Sequence, residues 1–488
     1  MHSDSRKAAI YFGQTVVSNA LPLIALLVLT RFLTKEDFGT LALAQAYAVF
    51  ASGIALLGMT EVFERGYFQH REDRHKLAAL LYGVIGFALA NYLWIAVLSY
   101  VFEGHIGAMI GFGHRPELVL PTLTGQFFAA VCMFYLLYFR NAGQAANYAW
   151  YMILASVLYF SGSIILVAYT GIGVVGVPLA QAASWVLVFV ILTRRFVREL
   201  PLAFDRGVFA ASLRLALPLT PRILISVVNT QIDKLMLGQL ASVGSVGVYA
   251  IAQRIANFVF VFMTVLQNVF SPRVYTQMFE MEKGDNGAIG RYLSPFAYIS
   301  ILAALLVVVW AEEFVTLFLP IDFHAATNIL IVLSMFFGSL FFGKVTGKQL
   351  MYAHRSGIIS VLSLLGLGAN ILIVVPFVMW WGTLGAAWGT LLVGIITTGV
   401  SLVLAQRYFF IRWQFGRMAA MFFLLFLSGA GLLALDALSV SYTWRLGFKL
   451  GVLATYLYLG LRLGLVTVDS LRSLISAFRK GRIQRANP

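Results

Sequence analysis

The chain has 488 residues, of which 60% are hydrophobic and 11% charged, with a formal net charge of +15. A soluble domain carries about 25% charged residues, so an ordinary soluble protein is excluded. Apolar runs longer than the ~18 residues that cross a bilayer as helix recur along the chain. They do not alternate polar and apolar, which excludes a β-barrel. The single Cys132 lies in an apolar run and leaves neither a disulfide framework nor a thiolate metal site.

Fourteen helical spans are predicted, near residues 8–30, 39–60, 78–102, 118–139, 147–170, 174–193, 209–232, 246–271, 292–319, 325–343, 356–378, 383–406, 415–435 and 445–466. The first follows a short basic start with no convincing cleavage site and reads as a retained helix, not a signal peptide. Span one carries Gln14 and Ser18 on the face of Pro22, with Asn19 beside them. Arg31, Lys35, Glu36 and Asp37 follow as a solvated loop. Span two carries Gln45 and ends near Glu61 and Glu64.

Span seven holds the most informative pattern. Arg222, Ser226, Asn229 and Asp233 are spaced i, i+4, i+7 and i+11, on one helical face. A mid-membrane charge costs at least ~2.5 kcal/mol, so Arg222 needs a water-filled cavity or a partner. Pro218 and Pro221 are expected to break or bend this helix. The bland alternative is a buried ion pair joining spans seven and eight. Span eight adds Arg254 beside a stripe of Gln253, Asn257, Thr264 and Asn268. A polar stripe faces away from lipid. Interhelical hydrogen bonding alone would also account for Gln45 and Gln253.

Glu312 and Glu313 mark the end of span nine, as interfacial caps or as a cation or proton site. Lys344 and Lys348 end span ten, as topology signals or as a phosphate-attracting mouth. The seven histidines fall in loops or at span ends without metal-ligand spacing. No Gly-rich phosphate loop followed by Lys is present, so an ATPase is excluded.

The basic residues orient the chain. Only Arg31, Lys35, Arg115, Lys234, Arg445 and Lys449 fall on the side opposite the N-terminus, and Arg222 and Arg254 lie within spans. All other Lys and Arg share the N-terminal side, which the positive-inside rule makes cytoplasmic. The net charge is thus a signal toward anionic lipid and not toward nucleic acid.

The two halves repeat. Ala20-Leu21-Pro22-Leu23 recurs as Ala216-Leu217-Pro218-Leu219. Gly39-x-x-Ala42-x-Ala44-Gln45 recurs as Gly247-x-x-Ala250-x-Ala252-Gln253, and Gly173-x-x-Gly176 recurs as Gly382-x-x-Gly385. The last two pairs differ by one position in offset. Parallel repeats of six helices follow, with a substrate path expected between them. The expected organisation is an N-terminal lobe at 1–203, a C-terminal lobe at 204–410, an extra hairpin at 411–466 and a basic amphipathic tail at 467–488.

The stretches Asn19-Ala20-Leu21-Pro22, Leu33-Thr34-Lys35-Glu36-Asp37-Phe38-Gly39, Asp233-Lys234-Leu235-Met236-Leu237-Gly238 and Val246-Gly247-Val248-Tyr249 resemble the polysaccharide-transporter branch of the multidrug/oligosaccharidyl-lipid/polysaccharide (MOP) exporters. The resemblance implies an all-α polytopic membrane protein, a MATE-like V-shaped bundle with a cationic cavity. It implies a flippase for undecaprenyl-pyrophosphate-linked oligosaccharide in O-antigen, capsule or exopolysaccharide assembly, in a bacterial cytoplasmic membrane with both termini cytoplasmic. Arg222 and Arg254 would neutralise the pyrophosphate, while Asn229, Gln253, Asn257, Gln45, Gln14 and Asn19 would face the sugars. No cofactor or metal is expected. Na+ or H+ coupling is open, with Asp233, Glu312 and Glu313 as the acids to consider. Polymerase and chain-length proteins of the same pathway are the expected partners beside the bilayer and the substrate.

Lipid II flippases usually place an Arg in spans one and two, and drug exporters often an Asp in span one. Neither feature is present. A membrane polymerase or ligase, or a non-transporting scaffold, completes the alternatives.

Overall fold

The computed structural model describes residues 2–113, 115–280 and 287–465. Among these residues the structure is helical and without strands. Eleven helices are long and apolar enough to cross a membrane. One of them, α15 (Ser356–Tyr408), is two helices joined at Gly382, whose φ of 56° and ψ of −131° are non-helical. The apolar part of α1 (His2–Leu29) is shorter, at Gly13–Leu29. The tail beyond residue 466, expected as an amphipathic helix, lies outside the described residues.

Caps set several helix starts. Thr34 and Asp37 form a reciprocal capping box for α2 (Lys35–Leu56). Asp205 caps α9 (Arg206–Leu240) by accepting from Gly207 and Val208. Asp73 caps α4 (Arg74–Val101) and accepts from the backbone N–H groups of Lys76 and His75 at 3.0 and 3.1 Å. The bond from Lys76 above all holds the Asp73 carboxyl below the usual carboxylate range. A depressed value means that the cap contributes above the ordinary carboxylate pKa and is lost as pH falls through the lowered one. Exchange of the His75 and Lys76 amides is therefore expected to accelerate only below about pH 4. Asp73→Asn, which keeps an acceptor that does not titrate, should remove that dependence.

Several expected single spans are divided. Span two ends at Leu56. Leu57 and Gly58 both take left-handed conformations (φ 42° and 74°), and Glu61 and Glu64 fall on a separate helix, α3 (Met59–His70). A left-handed Leu is strained by about 1–3 kcal/mol and persists only where packing enforces it. Gly58 supplies part of that packing: a Cβ there would lie 3.2 Å from the Ala216 carbonyl oxygen on α9. Span nine divides into α11 (Ala288–Val309) and α12 (Ala311–Phe318). Span ten continues past Ser339 as α14 (Phe341–Tyr352) after α13 (Ala326–Ser339). Of the expected break or bend at Pro218 and Pro221, the break is absent: α9 is one helix through both.

The remaining helices are α5 (Glu103–Ile110), α6 (Val119–Asn141), α7 (Ala145–Tyr169), α8 (Gly176–Glu199), α10 (Val243–Glu280), α16 (Phe415–Ala437) and α17 (Tyr442–Arg462). Two compact units result. One comprises Met1–Ile251 with Leu319–Phe323 and Val378–Thr383; the other comprises Ala252–Phe318, His324–Phe377 and Leu384–Pro488. In the first unit α6 and α7 both pack on α8, and α1 lies along α7. Its core is aromatic: Phe127, Phe134, Tyr135, Phe139 and Phe196 are fully buried, and Tyr92 stacks on Phe127 at 4.2 Å. The second unit packs α11 against α13 and α16, over a core that includes Phe270, Phe341 and Trp413.

The sequence repeats acquire physical meaning here. Gly173 and Gly382 both adopt positive φ (69° and 56°), a conformation that L side chains rarely take. Gly39 and Gly247 face each other where α2 and α10 begin. A Cβ on Gly39 would sit 1.8 Å from the Val243 carbonyl oxygen, and a Cβ on Gly247 would sit 1.9 Å from the Lys35 carbonyl oxygen. The contact is reciprocal: each glycine strikes the carbonyl four residues before the other. Only glycine permits so close a backbone approach.

Candidate functional site

Helix α9 presents two unlike faces. Leu224 and Val227 lie toward Gly53 of α2, where an added Cβ would meet them at 3.5 and 3.7 Å. At ~100° per residue, Arg222 and Ser226 fall on the opposite side, and both are exposed. Further along the same stripe Asn229 is half-buried and Asp233 is 7% exposed. Tyr249 Oη, itself fully buried on α10, donates to Asp233 Oδ2 at 3.1 Å. The stripe thus runs from an open cation to an acid enclosed between two helices. Arg222 sits near the middle of the 35-residue helix. It has no hydrogen bond or ion pair among the described residues.

In the second unit the α10 stripe meets α14. Arg254 and Gln253 are half-buried and Asn257 is exposed. Lys344 Nζ lies 4.0 Å over the Phe260 ring, and Lys348 Nζ lies 5.3 Å from the centre of the Tyr275 ring. Both lysines reach the α10 side chains through cation–π contacts. Arg254, Lys344 and Lys348 have no ion pair among the described residues. Lys344 and Lys348, one turn apart on α14, are cations without a built-in counter-ion, suited to an anionic ligand.

The first-half candidates fare differently. Gln14 is 7% exposed and donates to Ser18 Oγ at 3.0 Å. Ser156 Oγ on α7 approaches the same hydroxyl at 3.5 Å. Asn19 donates to the Thr15 carbonyl of its own helix at 2.7 Å. Gln14 and Asn19 are thus engaged within α1 and along its seam with α7. Gln45 is half-buried on α2.

Glu312 and Glu313 enter a network that the sequence reading did not foresee. Lys449 of α17 is 1% exposed and bonds Glu312 Oε2 at 2.7 Å and Glu313 Oε1 at 2.6 Å. Arg445 pairs with Glu312 Oε1 at 2.9 Å and with Asp436 Oδ1 at 3.3 Å. Tyr442 donates to Glu313 at 3.0 Å, and Asn328 donates to Asp436 at 3.0 Å. Both carboxylates have cationic partners within the protein. The signal lay in Lys449 itself, a cation inside an apolar run on the same predicted side as Glu312 and Glu313. Among the described residues no three His, Cys, Asp or Glu side chains converge as metal ligands.

Solved structures share the fold of this many-helix bundle. The lipid II flippase MurJ in an inward closed conformation matches with a TM-score of 0.68 at 16% identity, over 94% of this chain and 99% of that one. An inward-facing multidrug resistance MATE transporter of the MOP superfamily matches at 0.63 and 16%, over 85% and 98%. A MOP superfamily transporter from Pyrococcus furiosus, described as having a binding pocket of reversed polarity, matches at 0.59 and 15%, over 86% and 96%. At these identities the likeness is one of fold.

The sequence narrows the class. Residues 5–276 match the polysaccharide biosynthesis protein family, and the chain belongs to that family. No curated protein matches it.

Proposed function

We propose that this protein is a flippase that carries undecaprenyl-pyrophosphate-linked oligosaccharide from the inner to the outer leaflet of a bacterial cytoplasmic membrane, for O-antigen, capsule or exopolysaccharide assembly. Both termini are cytoplasmic in this reading, and the mechanism is alternating access. The observation that carries it is Arg222, a permanent cation exposed at the middle of a spanning helix and without an ion pair. Such a group is costly in a bilayer and is retained where it meets a charged substrate. A guanidinium binds pyrophosphate bidentately. Membership of the polysaccharide biosynthesis protein family supports a sugar-linked lipid as the substrate class. Asn229, Gln253 and Asn257 offer hydrogen bonds to hydroxyls, and Lys344 and Lys348 attract the phosphates at the cytoplasmic mouth. If transport is coupled to Na+ or H+, Asp233 is the acid to test, because Glu312 and Glu313 already have cationic partners. Polymerase and chain-length proteins of the pathway remain the expected partners.

The test is translocation of a fluorescent undecaprenyl-pyrophosphate oligosaccharide in proteoliposomes. Wild type is expected to move it, and Arg222→Ala and Arg254→Ala should each slow it at least ~10-fold, as expected when one charge-assisted contact is lost. Undiminished movement in both variants would remove the assigned residues. Preferential movement of lipid II would replace the substrate.

A further inference from the structure

A groove of about 520 Å³ opens where α14 turns into α15. Its mouth is polar and basic. His354 takes a left-handed φ of 55° in the turn, and the Arg355 guanidinium lies 5.1 Å from the centre of the Tyr408 ring. Its walls are apolar. Ile358, Val361 and Leu365 line it from the start of α15, and Val400 and Leu404 line it from the end of the same helix after the break at Gly382. The spacings i, i+3, i+7 and i, i+4 put each set on one helical face. Two clasps hold the frame: Thr346 Oγ1 meets Ser401 Oγ at 2.8 Å, and Gln349 Nε2 donates to the Phe409 carbonyl at 2.8 Å. A Cβ on Gly357 would meet nothing within 4 Å, so the groove is open at that point.

We propose that this groove binds one anionic glycerophospholipid of the inner leaflet, with its phosphate at Arg355 and His354 and one acyl chain between the two arms of α15. Three observations select that occupant. The basic mouth complements a phosphate diester. The distribution of Lys and Arg places residues 354 and 355 on the cytoplasmic side, where anionic lipid is enriched. From Arg355 to Leu365 the helix rises ~15 Å, half of a ~30 Å hydrocarbon core. The apolar wall therefore spans one leaflet, the reach of one acyl chain. A polyprenyl chain would extend well past it. The proposal stands apart from the transported substrate and from Arg222.

The experiment is native mass spectrometry of the delipidated full-length protein, titrated with phosphatidylglycerol, phosphatidylcholine or undecaprenyl phosphate. Phosphatidylglycerol should hold its tightest site at least ~10-fold better than phosphatidylcholine, the gain of one charge-assisted hydrogen bond. Arg355→Ala should remove that preference, and Gly357→Trp, which fills the open point, should remove the site for both phospholipids. Arg222→Ala should retain it, which separates this site from the transport reading. Equal retention of the two phospholipids, or unchanged retention in the Arg355 and Gly357 variants, would overturn the proposal. Undecaprenyl phosphate outcompeting phosphatidylglycerol would overturn it too, by assigning the groove to the transported lipid. A thermal unfolding curve for Gly357→Trp matching wild type shows that its loss is local; Arg355→Ala, an exposed change, tests the head site independently.

Discussion

Replacing Lys449 with alanine is expected to destabilise the second unit by about 3–5 kcal/mol, the largest effect of any single substitution proposed here. The ammonium is enclosed and bonds two carboxylates at once. Its removal leaves Glu312 and Glu313 largely buried, and only Glu312 keeps a cation, Arg445. The cost is one of uncompensated charge, so side-chain volume should not rescue it. Lys449→Met should be nearly as damaging. A triple variant that adds Glu312→Gln and Glu313→Gln to Lys449→Met should recover most of the loss, because neutral partners need no counter-ion. Thermal unfolding of purified protein in detergent reads this out, with a drop of several degrees expected for the single variants. If Lys449→Met unfolds at the wild-type temperature, the network is ornamental and the hairpin of α16 and α17 is held by packing alone.

Gly247→Ala should force the starts of α2 and α10 apart. The added Cβ would overlap backbone on both sides, the Lys35 carbonyl oxygen at 1.9 Å and the Gly39 nitrogen at 2.9 Å. A flexible side chain could step aside, but a helix backbone cannot. Overpacking of this kind costs about 1–3 kcal/mol. Each 1.4 kcal/mol depopulates the close arrangement about tenfold. A cysteine pair at positions 36 and 244, in a Cys132→Ser background, should cross-link readily in the parent and far less with Gly247→Ala. Gly39→Ala should behave alike, since its Cβ meets the Val243 carbonyl oxygen at 1.8 Å. Unchanged cross-linking in both would mean that the helices tolerate separation at no cost. Under the proposed function, transport should fall as well, because alternating access passes through this contact.

Much of the architecture was legible in the sequence because bilayer crossing depends on length and hydropathy, which are local properties. The division of span two was not. Residues 39–60 carry no charge, and nothing in Leu57 itself demands a left-handed conformation; the neighbouring Gly58 packs close to the Ala216 carbonyl of α9, a contact that the sequence does not display. Prolines 218 and 221 do not break their helix. A helix within a membrane tolerates prolines better than one in water because neighbours satisfy freed carbonyls. For the site, the spacing of Arg222 and Ser226 identified an exposed face, since periodicity gives faces directly. The same reasoning could not separate Gln14, buried against Ser18, from a cavity wall, because both readings place a polar group away from lipid. The partners of Lys449 needed tertiary structure: both carboxylates lie on α12, far from Lys449 in sequence.

The reciprocity at Gly39 and Gly247 has the form of an isologous interface, in which residue i meets j and j meets i. Such a contact is what two identical half-length chains would make with each other. One glycine in an ancestral half would have served both sides, and any change to it would have struck twice. A single chain that carries both halves is free of that constraint. Arg254 follows Gln253, while Ala46 follows the matching Gln45. A homodimer of identical halves would carry that arginine in duplicate or not at all; the single chain places one cation in one half and leaves its counterpart apolar.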